Sequence, residues 1–407
     1  MVLESAERSG IVARLSGAWG AWGLSGGIYT PFFGAWLAWK GESPDQIGLL
    51  LSSGMLLRVI VPPITGIIAD ARNDRRSVMI ALIALTFLGY LGLNWALTPR
   101  EIFVFAVLAN VAGGAASPLF DSVSTRLAER YGFDYGHVKR WNSITFAIVN
   151  LVSGLAIEQW GLAVLAPWLT VSLALTFVAL YLLPSAPRRD GPSQFGIRLR
   201  ATMAEARELM GSVVFLLFLV AASLDQASHA FYYGYGGLHW RSLGYSGALI
   251  GAIWPLGVVA EAMLFSVSLQ IFRAIGATRL LMLGGIGCAL RWTILAFDPP
   301  LVLVIFAQLL HGASYALAHL GAMYFILKAV PPRLSATAQS LYAVMSSGVV
   351  MGLATYASGP LYTLYGGRTY LLMAAMGVGA IAFAWRLEHR WHGGRITQTG
   401  DEAVEAI

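Results

Sequence analysis

Long apolar runs separated by short polar breaks set the pattern of this chain. They fall at residues 11–38, 44–69, 78–97, 102–127, 141–158, 163–183, 213–236, 246–272, 280–297, 301–327, 335–356 and 370–387. Each has the length, ~17–25 residues or more, that an α-helix needs to cross a ~30 Å hydrocarbon layer. The pattern therefore predicts an all-α polytopic membrane protein of twelve transmembrane helices. The longest polar interruption, residues 185–212, opens with prolines and glycines and continues as the basic stretch RLRATMAEARELM. It is expected to be a cytoplasmic linker whose second half forms a short amphipathic surface helix. One six-helix bundle then occupies residues 1–184, a second 213–390, and a cytoplasmic tail 391–407.

Composition agrees with this reading. Hydrophobic residues make up 57% of the 407, charged residues 12%, and mean hydropathy is +0.67. Soluble domains do not reach such values. Of the 27 lysines and arginines, only Lys40, Arg100, Arg241 and Arg368 fall in loops on one side, and Arg58 and Arg291 lie inside runs. The remainder share the side of both termini, which the positive-inside rule makes the cytoplasm of a bacterial inner membrane. The net charge of +6 thus follows from topology and does not call for nucleic acid. Cys288 is the single cysteine, which excludes a disulfide framework and a cysteine metal site. No small-residue cleavage site precedes the first run, so no cleaved signal peptide is expected.

Eight ionisable or titratable side chains interrupt the apolar runs: Arg58, Asp121, Asp225, His229, Glu261, Arg291, His311 and His319. Each is expensive if it meets lipid, so they are expected to face a polar interior and to do work there. Glu261 lies near the middle of run 246–272 and is the expected proton carrier, the alternative being a structural carboxyl bonded to a neighbouring helix. Arg291 requires an anion in at least one state, with Glu261, Asp225 or a substrate carboxylate as partner. Arg58 is divided between anion recognition and an ion pair with Asp121. His311 and His319 stand eight residues apart, on one helix face, as two steps of a proton path. Asp225 and His229 have the i, i+4 spacing of a side-chain contact. Phe33, Tyr232 and Trp254 are candidates for an aromatic-lined pocket that, with one arginine, suits a planar aromatic acid.

The two halves echo one another, NVAGGAASPLFDS in the fourth run against LLHGASYALAHLG in the tenth. Parallel six-helix repeats of this kind bind substrate near the midplane. The stretch Gly66-Ile-Ile-Ala-Asp70-Ala-Arg72-Asn-Asp-Arg75-Arg76 resembles the helix 2/3 loop signature of the major facilitator superfamily. In it Gly66, Asp70 and Arg75 are expected to form a conformational latch, with close packing at Gly66. Asp225-Gln226, Ala-Leu-Arg291, Leu-Leu-His311, Arg333-Leu-Ser-Ala-Thr337 and Asp121 with Lys139 resemble lactose permease and the oligosaccharide:proton symporters. His229-Ala-Phe-Tyr-Tyr-Gly234, Gly257-Val-Val-Ala-Glu261, Ala318-His319 and Ser358-Gly-Pro-Leu-Tyr362 resemble the branch of 3-phenylpropionate permeases.

The resemblance implies alternating access by two bundles and places Asp121, Lys139 and Phe146 at the family's sugar site. It also exposes departures. Ser314 stands where the family has its proton-carrying glutamate, and Gln308 where it has a lysine. The expected function is proton-coupled symport of a small organic, aromatic acid, without cofactor or metal, by a monomer in the lipid bilayer. Sugar or nucleoside symport and drug:proton antiport are the rivals within the fold, and a non-transporting membrane sensor is the rival outside it. The fifth run lacks the glycine-proline signature of the antiporters. No nucleophile-base set or phosphate loop suggests an enzyme.

Overall fold

The computed structural model describes residues 2–72, 74–183 and 195–396, with side chains from residue 8 onward except 195–200 and 268–269. All regular structure there is helical. Contacts divide the chain into two units, Met1–Ser193 with Gly234–Ala252, and Gln194–Tyr233 with Ile253–Ile407.

The first unit holds α1 (Val2–Trp39), α2 (Pro44–Leu57), α3 (Val61–Ala71), α4 (Arg75–Leu93), α5 (Pro99–Tyr131), α6 (Tyr135–Trp160) and α7 (Leu165–Tyr181). Their starts are written locally. Ser43 with Gln46 and Thr98 with Glu101 form capping boxes, each followed by a proline at the first helical position. α2 and α3 form one 28-residue apolar stretch interrupted at Arg58–Ile60. Pro62 and Pro63 cause the break, because neither can donate the helical hydrogen bond owed to the preceding turn. α1 packs on α6 and α7, and α4 on α5. Glycines permit the closest approaches within this unit: a Cβ on Gly27 would strike Val149, and one on Gly154 would strike the Gly247 carbonyl.

The second unit begins with α8 (Phe195–Met210), the helix expected in the linker. Its Leu209 is buried in the unit's core beside Phe215, Phe218 and Phe325, Glu208 accepts from Arg333 Nη1 at 2.9 Å, and Glu205 accepts from Thr337. The linker helix is thus docked on its own unit. The residues of the linker before 195, and the tail from 397, lie outside the described residues. α9 (Val213–Ala227) and α10 (Ala230–Ser242) follow, then α11 (Gly247–Ser266), α12 (Ser268–Ile275), α13 (Ala277–Leu295), α14 (Leu301–Leu309), α15 (Ala318–Ala329), α16 (Ser335–Ala343), α17 (Met351–Tyr365) and α18 (Tyr370–Arg390), with α10 from Gly234 and α11 up to Ala252 counted in the first unit. π-helical segments Gly312–Leu317 and Val344–Val350 join α14 to α15 and α16 to α17.

Among the described residues, ten stretches are long and apolar enough to cross a membrane; the last, Pro332–Arg390, holds two spans, α16 with α17 and then α18, and α1 adds another, giving the twelve spans expected. Two expectations need correction. The eighth run is not one helix over 246–272, because α11 stops at Ser266, whose Oγ bonds back to Met263 O (2.7 Å) and competes with the backbone ladder. Glu261 therefore lies in the last turns of α11 and not at its middle. Nor is Gly66 closely packed, since a Cβ there would meet nothing within 4 Å.

Candidate functional site

The second unit gathers its polar side chains around Arg291, which α13 turns inward until no surface remains exposed. Nη1 donates to His311 Nδ1 (2.7 Å) and Ser314 Oγ (3.3 Å), Nη2 donates to Gln308 Oε1 (2.8 Å), and Nε has no partner. The rings of Trp292 and Tyr232 lie 4.3 and 4.8 Å from the guanidinium carbon. Every acceptor is neutral, and no carboxylate pairs with Arg291 among the described residues. The two positions where the resembled family carries charge, Gln308 and Ser314, are here the neutral groups that hold the arginine.

This arrangement fixes the chemistry of His311. A guanidinium only donates, so Nδ1 accepts and the imidazole proton sits on Nε2. Nε2 lies 3.7 Å from Glu261 Oε2. Gly257 makes that approach possible, because a Cβ there would stand 3.0 Å from the His311 ring. Gln308 extends the network by donating to Tyr232 OH (2.7 Å) and Ile253 O (3.3 Å), and Tyr232 stacks on Trp254 at 4.2 Å. The π-helical turn begins directly after His311 and contains Ser314 and Tyr315; such turns recur at functional sites. His311, Tyr315 and His319 form a ring column with centroids 5.2 and 6.2 Å apart. The histidines do share a face, and Tyr315 is the intermediate that spacing alone left unassigned.

The Asp225–His229 contact does not form. α9 ends at Ala227 and α10 begins at Ala230, so the residues do not stand on one continuous helix. His229 Nδ1 is 3.2 Å from Gln226 O and Nε2 is 3.3 Å from Ser314 Oγ. Ser228 Oγ donates to Asp225 O (2.7 Å), accepts from Trp292 Nε1 (3.1 Å), and lies 3.1 Å from the buried Cys288 thiol. The Asp225 carboxyl itself, fully buried, finds no partner stronger than the weakly donating Cys288 thiol among the described residues.

In the first unit the charges are paired or peripheral. Lys139 Nζ meets Asp121 Oδ1 at 2.7 Å, Tyr135 OH donates to the same oxygen, and the ammonium lies 5.0 Å from the Trp19 ring centre. Asp121 is thereby engaged and does not pair with Arg58, whose Nε and Nη2 both reach Asn110 O at 3.2 Å. Gly114 makes room for that guanidinium, which a Cβ would strike. Phe146 packs against Gly26. Phe33, stacked on Tyr29 at 4.4 Å, is buried, as are Tyr232 and Trp254 in the second unit. Arg75 binds Asp70 Oδ1 through Nη2 (2.6 Å) and Nε (3.0 Å), and Ser122 Oγ through Nη1 (2.6 Å). The acid and base expected in the latch are joined.

Comparison with known proteins covers nearly the whole chain. Residues 23–373 match the profile of the MFS_1 like family. A protein of Escherichia coli (strain K12) named "Probable 3-phenylpropionic acid transporter" is 28% identical over 362 residues, 88% of this chain and 93% of that protein. Maltose permease of Geobacillus stearothermophilus is 29% identical over 321 residues, 78% and 79% of the respective chains. Among solved structures, a mutant of the nucleoside transporter NupG superposes with a TM-score of 0.79 at 16% identity, covering 93% of this chain and 99% of that one. The D-xylose-proton symporter gives 0.67 at 15% identity, covering 94% and 98%. These structures share the fold of twelve helices in two bundles.

Proposed function

We propose, since the chain belongs to the MFS_1 like family and is a membrane transporter of the major facilitator type, that it imports a small organic anion, an aromatic monocarboxylate, together with protons. The observation that carries this reading is Arg291: a fully buried guanidinium held by three neutral acceptors and no carboxylate. A buried cation of this kind is costly until an anion arrives, and a substrate carboxylate meets its fork in two-point geometry. The flanking rings of Tyr232 and Trp292 suit an aromatic body. The name of the Escherichia coli relative points to the same substrate class.

Coupling follows from His311. A carboxylate that takes Nη1 of Arg291 releases His311 Nδ1, and the imidazole is then free to accept a second proton beside Glu261. Binding of the anion and loading of a proton thereby favour one another. Arg58 supplies a second cation free of any carboxylate, in the first unit. The distribution of arginines supports a bacterial inner-membrane protein with both termini cytoplasmic.

The test is uptake into liposomes containing the purified protein, with an inward proton gradient and labelled 3-phenylpropionate, maltose or uridine. The aromatic acid is expected to accumulate and the neutral solutes not. Glu261→Gln is expected to lower the accumulation ratio while exchange at equal pH persists. Accumulation of maltose or uridine instead would assign the neutral-solute chemistry and remove the role given to Arg291.

A further inference from the structure

Several buried polar groups of the second unit that this coupling leaves unused are unsatisfied. Among the described residues the Asp225 carboxyl has no partner stronger than the Cys288 thiol, and Gln226 Oε1, Ser223 Oγ, His319 Nδ1 and Tyr342 OH, all buried atoms, have none. Buried polar atoms are normally bonded, and a group of exceptions in one place indicates ordered water or an exchanging proton. These atoms come from adjoining elements. Ser223, Asp225 and Gln226 end α9; His319 opens α15; Tyr342 closes α16. The His319 and Tyr342 rings are 6.5 Å apart, and Tyr342 lies 6.1 Å from Phe218, two turns before Asp225 on the same face of α9.

No cation neutralises Asp225. Arg291 commits both terminal nitrogens to His311, Ser314 and Gln308. The Cys288 thiol is directed to the main-chain carbonyls of Asp225 (3.8 Å) and Ser314 (3.5 Å). On the helices packed against α9, the titratable or charged groups within the span include Cys288 and Arg291 on α13, His311 and Tyr315 with His319 on the tenth span, Tyr342 on α16, and Tyr356 and Tyr362 on α17. Glu205, Arg207 and Glu208 on α8, Arg279 on α13 and Lys328 on α15 lie at the linker end of the unit. Between Leu371 and Ala384, α18 carries none.

We propose that Asp225 is a second proton-carrying carboxyl, reached through water held among Asp225, His319 and Tyr342, and that each substrate anion moves with two protons, one on Glu261 and one on Asp225. This rests on the reading of proton-coupled anion import above. The charge balance is explicit: one carboxylate and two protons carry a net charge of +1, so the membrane potential drives import as well as the pH gradient.

The deciding measurement is the reversal potential of 3-phenylpropionate flux in proteoliposomes under imposed potential and pH gradients, which gives protons per substrate. The expected values are two for the wild type, one for Asp225→Asn, and two again for Asp225→Glu, which keeps a carboxyl in place. A wild-type value of one, or an Asp225→Asn value equal to that of the wild type, overturns the proposal. Infrared difference spectra across pH, taken on protein containing isotope-labelled aspartate, decide the matter if Asp225→Asn does not fold or no flux is found. A buried aspartyl carboxyl band present in the wild type and absent from Asp225→Glu supports the proposal, and its absence from the wild type overturns it. Absence of flux with the band present would count against the import reading alone.

Discussion

The half-exposed charges of the first unit and the buried charges of the second are handled in opposite ways, although the second unit also has surface pairs in Arg279–Glu388 and Arg333–Glu208. In the first, acids and bases find each other at partly exposed positions: Asp70 with Arg75, whose side chains are 42% and 22% exposed, and Asp121 with Lys139, 38% and 43%. In the second, Arg291 and Asp225 are wholly buried, and neither has an opposite charge beside it. A half-exposed pair is screened by water and contributes little to stability, so it can break and remake at low cost. A buried charge without a partner is a standing penalty that a proton or an anion can relieve. The contrast teaches where to look first for mobile charge: at the buried Arg291 and Asp225 of the second unit, before the half-exposed pairs of the first.

The largest expected effect is at Arg291. Arg291→Lys keeps the charge but loses the fork, and uptake should fall roughly 30- to 5,000-fold, corresponding to the ~2–5 kcal/mol typical of a disrupted buried charge contact. Near-normal uptake by the lysine variant would show that point charge alone suffices. Ser314→Glu is the sharper probe, because it sets a carboxylate beside Nη1 where Ser314 Oγ now lies at 3.3 Å. The arginine would then be neutralised internally, and KM for the acid should rise at least ~10-fold, the scale of one hydrogen bond to a charged group. An unchanged KM would remove Arg291 from the binding step. Gly257→Ala crowds His311 and should cost about 1–3 kcal/mol in stability while flattening the dependence of uptake on pH. A full pH response in a folded Gly257→Ala protein would mean that the His311–Glu261 approach is dispensable. The smallest effects belong to the first unit: Lys139→Gln and Asp70→Asn each remove an exposed pair of about 0.2–1 kcal/mol and should leave KM for the acid within a few-fold. Loss of binding in Lys139→Gln would dissolve the contrast between the units.

Much of the fold was legible because two strong signals repeat along the chain, the apolar run and the bias of arginines to one side. The interruptions were less legible. Pro62 and Pro63 do announce the break after Arg58, but nothing in the periodicity marks the gap at Ser228–His229 or the π-helical turns at Gly312 and Val344. Those irregularities depend on which side chains compete for backbone groups in three dimensions. The same limit governed the candidate site. Position and residue type pointed to Arg291, His311 and Glu261, whereas the identity of the arginine's partners did not follow, because a charge invites the expectation of an opposite charge. Gln308 and Ser314 had looked like losses relative to the family pattern, and the structure makes them the acceptors that keep Arg291 available. Phe33, Tyr232 and Trp254 were read as pocket walls from their span positions; all three are buried, and Tyr232 lies 4.8 Å from the guanidinium carbon of Arg291.

The thiol of Cys288 has a practical consequence. It is the only cysteine in the chain, it is fully buried, and it sits among Ser228 and two main-chain carbonyls. Its burial leads to the expectation that a water-borne maleimide leaves it unlabelled, so that the natural protein serves as a cysteine-free background; mass spectrometry after maleimide treatment checks this. Spin labels or fluorophores can be installed at chosen exposed positions, singly or in pairs, without first rewriting the packing around the arginine.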